Sequence, residues 1–169
     1  MKKLTIISII AICFSAMLFP AYGLENEADK QTTAIENTIK TLLKKIEKYP
    51  DDYFLNVQLG WNYYLVGKYA NSIHHYGKAL QQNQWSFEPR MGFYNVYMAQ
   101  MEYEKAESAC RSILGIDPIN YFGSLYLSRA LSAQGKNAEA KKVLLYILTF
   151  FPSDPQLNEQ YIIIDKEKK

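Results

Sequence analysis

Three prolines, Pro50, Pro118 and Pro152, stand at multiples of 34 residues, and the one vacant place in that series is taken by Gln84. The same offset superposes "GKYANSIHHYGKAL" on "MEYEKAESACRSIL" and on "GKNAEAKKVLLYIL", so that Ser72, Ala106 and Ala140 coincide. Tyr76, Cys110 and Leu144 then coincide as well, as do Leu80, Leu114 and Leu148. A period of this length, held over three copies, commits a chain to stacked supersecondary units, because no single unit can bury its apolar face alone.

Each copy holds two short helical patterns. Phe54, Val57, Leu59, Trp61, Tyr63, Tyr64 and Leu65 crowd the first helix with apolar side chains, a density expected of a helix buried on more than one side. Gly67 and Lys68 mark a turn. Tyr69, Ile73, Tyr76 and Leu80 then recur at steps of three or four, the single stripe of an outer helix. Start signals agree: Asp51 and Asp52 precede the first pattern, Asn120 precedes the pattern opening at Tyr121, and Ser153-Asp154-Pro155 joins a cap to a proline suited to the first helical position. Upstream, Thr33 and Glu36 form a capping box for a helix over 31–49 that ends about Lys48, after a linker over 24–30. Downstream, Pro155 to Ile164 predicts a closing helix followed by a charged tail.

At these residues the chain resembles the tetratricopeptide repeat family, whose unit carries W-x2-L-G-x2-Y, then A-x3-F, then P. The first copy, 53–86, matches through Leu59, Gly60 and Tyr63, with Ser72 and Tyr76 in the small and aromatic places and Asn56 where the Trp belongs. The second, 87–120, fits through Phe93, Tyr97, Ala106 and Pro118, with Tyr94 for the small residue and Cys110 for the aromatic. The third, 121–154, fits through Leu127, Ser128, Gly135, Ala140, Leu144 and Pro152, and a half-copy with Thr38, Leu42 and Pro50 precedes them. The resemblance implies an all-α, right-handed helical-repeat solenoid of about three helix pairs with a flanking helix at each end. It also implies that Tyr94, bulky at a close crossing, pushes its helix pair apart.

In that family the first helix of each pair lines a concave groove through positions two, five, nine and twelve of the repeat. Carried onto this chain, those are Phe54, Val57, Trp61 and Tyr64; Glu88, Met91, Asn95 and Met98; and Phe122, Leu125, Arg129 and Ser132. Some relatives grip a peptide's terminal carboxylate with Lys, Asn and Arg at these places. Here Asn95 and Arg129 are present, but Val57 and Leu125 stand where the lysines would be, leaving at most part of a clamp. The implied occupant is a helix or extended segment of another protein with large apolar side chains, met by adaptable Met and aromatic contacts.

Reactive chemistry has little support. His74 and His75 are adjacent, so on a helix they point about 100 degrees apart and cannot chelate one ion as an i, i+4 pair does; both read as partly solvated outer-helix residues. Glu102, Glu104 and Glu107 sit where an outer helix begins, where acids favour the positive helix end. Cys110 occupies a core aromatic's place and reads as buried and inert. No metal site, cofactor or catalytic group is expected.

The first 23 residues read as an export signal. Lys2 and Lys3 lead into an apolar run from Leu4 to Phe19, and Ala21-Tyr22-Gly23 places small residues where a signal peptidase needs them, with cleavage after Gly23. Cys13 lies inside that segment, so Cys110 alone remains and no intramolecular disulfide is available. Removing Lys2 and Lys3 from the 19 Lys and Arg leaves them equal to the 17 Asp and Glu, a neutral chain with no electrostatic case for nucleic acid. The expectation is a non-enzymatic periplasmic or secreted scaffold that binds a protein or peptide or associates with itself. Two rivals stand: a self-associating structural subunit tethered to a membrane by an uncleaved first segment, and a glycan or small-molecule binder using the Trp and Tyr cluster as a stacking platform.

Overall fold

The computed structural model describes residues 27–166. The export segment and the last three residues of the charged tail lie outside them. Eight helices follow one another among the described residues: α1 over 27–48, then α2 (Tyr53–Leu65), α3 (Tyr69–Gln82), α4 (Glu88–Ala99), α5 (Tyr103–Leu114), α6 (Tyr121–Ala133), α7 (Asn137–Leu148) and α8 (Pro155–Lys166). No helix among these residues is long and apolar enough to cross a membrane.

The helices pair in sequence, α2 with α3, α4 with α5 and α6 with α7, and each second helix also packs on the first helix of the next pair. First helices touch one another along the series α2, α4, α6 and α8, whereas α3, α5 and α7 do not meet among themselves. An inner layer in mutual contact and an outer layer that diverges make a curved stack, concave on the α2, α4, α6 and α8 side. This is the all-α helical-repeat solenoid expected from the period of 34.

The predicted helix starts are made by the predicted residues. Asp52 Oδ1 accepts from the Leu55 amide at 2.8 Å, Asn120 Oδ1 from Gly123 at 2.9 Å, and Asp154 Oδ1 from Leu157 at 2.8 Å, each satisfying an amide that the first turn leaves open. The capping box does not form. The helix is already running at residue 27, inside the expected linker, so Thr33 lies within it and Glu36 instead pairs with Lys68 at 3.2 Å. Ala28, Lys30 and Gln31 are good helix formers and nothing among them stops a helix, so propensity outweighs the capping signature.

Position four of the repeat has acquired a different task from the family's Trp. Asn56 Nδ2 donates to the Pro50 carbonyl at 3.1 Å and to that of Asp52 at 2.8 Å; Asn158 Nδ2, three repeats on, donates to Pro152 at 3.1 Å and Asp154 at 2.8 Å. Arg90 does the same from the intervening repeat, to the carbonyls of Ser86 and, at 2.7 Å, Gln84. This latch holds the connection between repeats where Gln84 replaces the proline.

Repeat one is closed by a ring between two glycines. Tyr76, 2% exposed, lies where a β-carbon on Gly60 would come within 2.7 Å of it and one on Gly92 within 2.2 Å. Repeat two inverts the sizes. Cys110 is small where Tyr76 is large, and both Cys110 and the large Tyr94 are buried in the main core, with the Tyr94 ring stacked 4.6 Å from Tyr126 of α6. The pair α4 and α5 therefore packs like the others rather than being pushed apart, because the bulk added at Tyr94 is offset at Cys110.

Two further expectations change. The apolar density of α2 does not reflect burial on several sides: Asn56, Leu59, Gly60 and Tyr63 are buried, while Phe54, Trp61 and Leu65 face outward. His75 is buried rather than partly solvated, its Nδ1 2.9 Å from Asn56 Oδ1 and its ring stacked on Tyr63.

Candidate functional site: the inner helical layer

The capped starts of α2 and α6 aim the same repeat positions at the concave side, and the side chains there form an aromatic surface. Phe54 is 72% exposed, Phe122 48% and Trp61 45%, values that mark open contact area rather than core. Trp61 and Tyr64, one turn apart, hold their rings 5.4 Å apart, and Tyr64 extends the cluster to Tyr69 at 6.1 Å. Val57, Tyr64, Met91, Asn95, Met98 and Arg129 are half-buried, which leaves part of each available to a partner. Asp52 and Asn120 take the first-turn amides, so the helix ends offer no vacant anion site here.

Leu125 is not part of this surface. It is wholly buried in the core cluster that α8 helps to close through Leu157 and Ile164, so it can meet no ligand. The reason is geometric: α8 continues the inner layer beside α6 instead of leaving the third repeat open. Arg129 is accordingly engaged from two sides, with Nε donating to Gln160 of α8 at 3.3 Å and the guanidinium 5.8 Å over the Tyr126 ring. Glu88, at another groove position, is held at the rim by hydrogen bonds from Ser86 at 2.7 Å and Tyr53 at 3.0 Å, which keep its carboxyl below the ordinary range.

Sequence reasoning missed Tyr126 and Gln160. Tyr126 links Phe122, 5.8 Å away, to Tyr94 and Arg129, and so connects the aromatic surface of α6 with that of α4. An aromatic residue four places after Phe122 was the available signal, since i and i+4 share a helix face. Gln160 had none, because its contact depends on where α8 lies.

The reactive groups lie elsewhere and are engaged. Burial pushes the Cys110 thiol up to about 12, and the nearby Glu107 carboxylate adds to the effect, so the sulfur is neither nucleophile nor ligand at neutral pH. Burial also lowers His75 to about 4, helped by the charges of His74 and Lys78, leaving a neutral ring whose Nδ1–H serves Asn56. Glu107 is held down to about 2: partial burial opposes this, but bonds from Lys136, Arg111 and Gln134 prevail. Among the described residues no group of three or more His, Cys, Asp or Glu is placed to hold a metal ion.

The volumes of this molecule lie on the opposite side. Because α3, α5 and α7 diverge, an open cleft of about 430 Å³ lies between α3, α4 and α5, and one of about 410 Å³ between α5, α6 and α7. The concave side is thus a contact surface rather than a cavity.

No family model matches this sequence, and no curated protein matches it. Solved structures match the fold closely. The first TPR of Spaghetti (RPAP3), bound to the HSP90 peptide SRMEEVD, is similar at 20% identity and a TM-score of 0.62, over 68% of this chain and 91% of that one. The second TPR domain of human RPAP3, in complex with the HSP70 peptide SGPTIEEVD, is similar at 19% identity and a TM-score of 0.59, over 68% and 98%. MamA is similar at 15% identity and a TM-score of 0.71, over 83% of this chain and 84% of that one. Identities this low speak for fold alone, and the fold is that of the tetratricopeptide repeat.

Proposed function

We propose that this protein is a non-enzymatic binding scaffold whose concave layer takes an apolar segment of another protein. The observation that carries the reading is the exposure of Phe54, Trp61 and Phe122 at repeat positions that face one side, with Tyr64, Met91 and Met98 half-buried among them. Keeping rings of this size in water forgoes about 1.5–3 kcal/mol each, which a partner's apolar side chains recover on contact. Structural neighbours of the same fold hold peptides ending in EEVD. This groove differs in charge: Arg129 is shared with Gln160 and Tyr126, and Val57 stands where a lysine would be, so an acidic tail gains little here. The favoured occupant is a helix or strand with large aliphatic or aromatic side chains. Asn95 and Arg129 supply its polar register.

The scaffold works outside the cytoplasm in this reading, supported by Lys2, Lys3, the apolar run Leu4 to Phe19 and the small residues at Ala21 and Gly23. Sequencing the N-terminus of the protein from its host is expected to start at Leu24. A chain that retains Met1 overturns export by cleavage and favours the tethered alternative.

The binding claim is tested with a Trp61→Ala, Met98→Ala variant used as bait for proteins of the native host. Partners held by the parent protein are expected to be lost, by about tenfold or more in retained amount. Equal retention by a variant with an unchanged melting temperature would sink the proposal.

A further inference from the structure

The two clefts of the outer layer occupy the same place in successive repeats, and their chemistry differs. Leu80, Phe93 and Ala109 in the first correspond to Leu114, Leu127 and Val143 in the second. In the second cleft Arg111 pairs with Glu139 across the opening and with Glu107 at 2.7 Å, so its charge is answered within the chain. One repeat earlier, Lys105 stands in Glu139's place and Gly77 in Arg111's. A β-carbon on Gly77 would meet nothing within 4 Å, so the ion pair that spans the second cleft is missing from the first and nothing replaces it.

What remains in the first cleft is an apolar floor under cations. Leu80, Phe93, Tyr97 and Ala109 line it with Arg90 and Lys105. Arg90 is held by two neutral carbonyls, those of Gln84 and Ser86, so its position is set while its charge is not cancelled by them. Lys105 pairs with Glu102 at 2.7 Å and stands 5.6 Å over the Tyr97 ring. Two cations against that one carboxylate leave a net positive opening over hydrophobic side chains. The volume, about 430 Å³, is that of a small-ligand site.

We propose that this first outer cleft binds a small amphipathic carboxylate, an aliphatic or aryl acid. Its apolar body covers Leu80, Phe93 and Tyr97 while its carboxylate meets Arg90 and Lys105. The site is separate from the concave surface, and its occupation does not depend on what that surface binds.

Octanoate is the probe, titrated into the full chain and followed by amide shifts in NMR, with acetate and 1-octanol as partial mimics. Octanoate is expected to bind at least about tenfold more tightly than either, since acetate lacks the body and the alcohol lacks the charge. The shifts should centre on Phe93, Tyr97, Ser108 and Ala109 and spare Leu127 and Val143. A Gly77→Arg, Lys105→Glu variant installs the ion pair of the second cleft; Gly77 faces open space and Lys105 is exposed, so the fold persists, and binding should fall about tenfold. Lys105→Gln alone should weaken it by about threefold. The proposal is overturned if 1-octanol binds as well as octanoate, if the double variant binds octanoate undiminished, or if the shifts map to Trp61 and Phe122 instead.

Discussion

The ring of Tyr76 lies against the backbone of Gly92 so closely that a β-carbon there would fall 2.2 Å from Cζ and 2.3 Å from Cε2. The ring cannot retreat, because its other edge meets Gly60 at 2.7 Å. Gly92→Ala is therefore expected to cost about 2–3 kcal/mol through overpacking, read as a lower midpoint of urea unfolding. Gly77→Ala, within α3 and facing open space, should instead stabilise by about 0.5–1 kcal/mol from helix propensity. A similar response to both substitutions would remove the argument for a ring clamped between two repeats.

Burial of His75 makes stability depend on pH. Its folded value of about 4 lies below the ordinary 6.5, so the folded state binds fewer protons than the unfolded one between those limits. The stabilising contribution is complete above pH 6.5 and is lost as pH falls towards 4, amounting to about 2 kcal/mol. Melting curves from pH 7 to pH 4 should show that decline, and the ring proton shifts of His75 should report an inflection near 4. An inflection near 6.5 would mean that the ring is solvated.

Tyr121 joins the start of one repeat to the start of the next. Its hydroxyl donates to Asp154 at 2.9 Å and to Gln156 at 3.1 Å, and Tyr53 reaches Ser86 and Glu88 from the corresponding place two repeats earlier. Tyr121→Phe keeps the ring and removes the bonds, so α8 should lose about 0.5–1.5 kcal/mol of local stability. Hydrogen exchange should speed up over Pro155–Lys166 and stay unchanged in α2 and α3.

The turns between paired helices carry Gly67 at φ 71° and Gly135 at φ 75°, and the corresponding residue of the middle repeat is Met101 at φ 59°. A side chain in that left-handed conformation costs about 1–2 kcal/mol. Met101 is 74% exposed and has little packing to lose, so Met101→Gly is expected to raise the melting temperature by a few degrees. An unchanged or lower value would count against strain at this turn.

Much of this architecture is legible without coordinates. Pro50, Pro118 and Pro152, the superposed Ser72, Ala106 and Ala140, and the caps Asp52, Asn120 and Asp154 determine the period, the pairing and the helix starts, because each acts on backbone a few residues away. Local chemistry of that kind does not require knowledge of which helix lies beside which. The inner-facing register of Phe54, Trp61 and Phe122 follows from the same period.

What tertiary structure alone decided involves contacts between residues that no periodicity relates. Tyr94 is accommodated because Cys110 is small, and Gly92, unremarkable in the repeat pattern, takes the close approach of Tyr76. Leu125 is lost from the groove and Arg129 is shared with Gln160 because α8 lies beside α6. Burial and charge at each of these sites depend on the volume and placement of a neighbour from another helix. A repeat pattern prescribes the spacing of such neighbours but not their size, and size determined which side chains face the solvent.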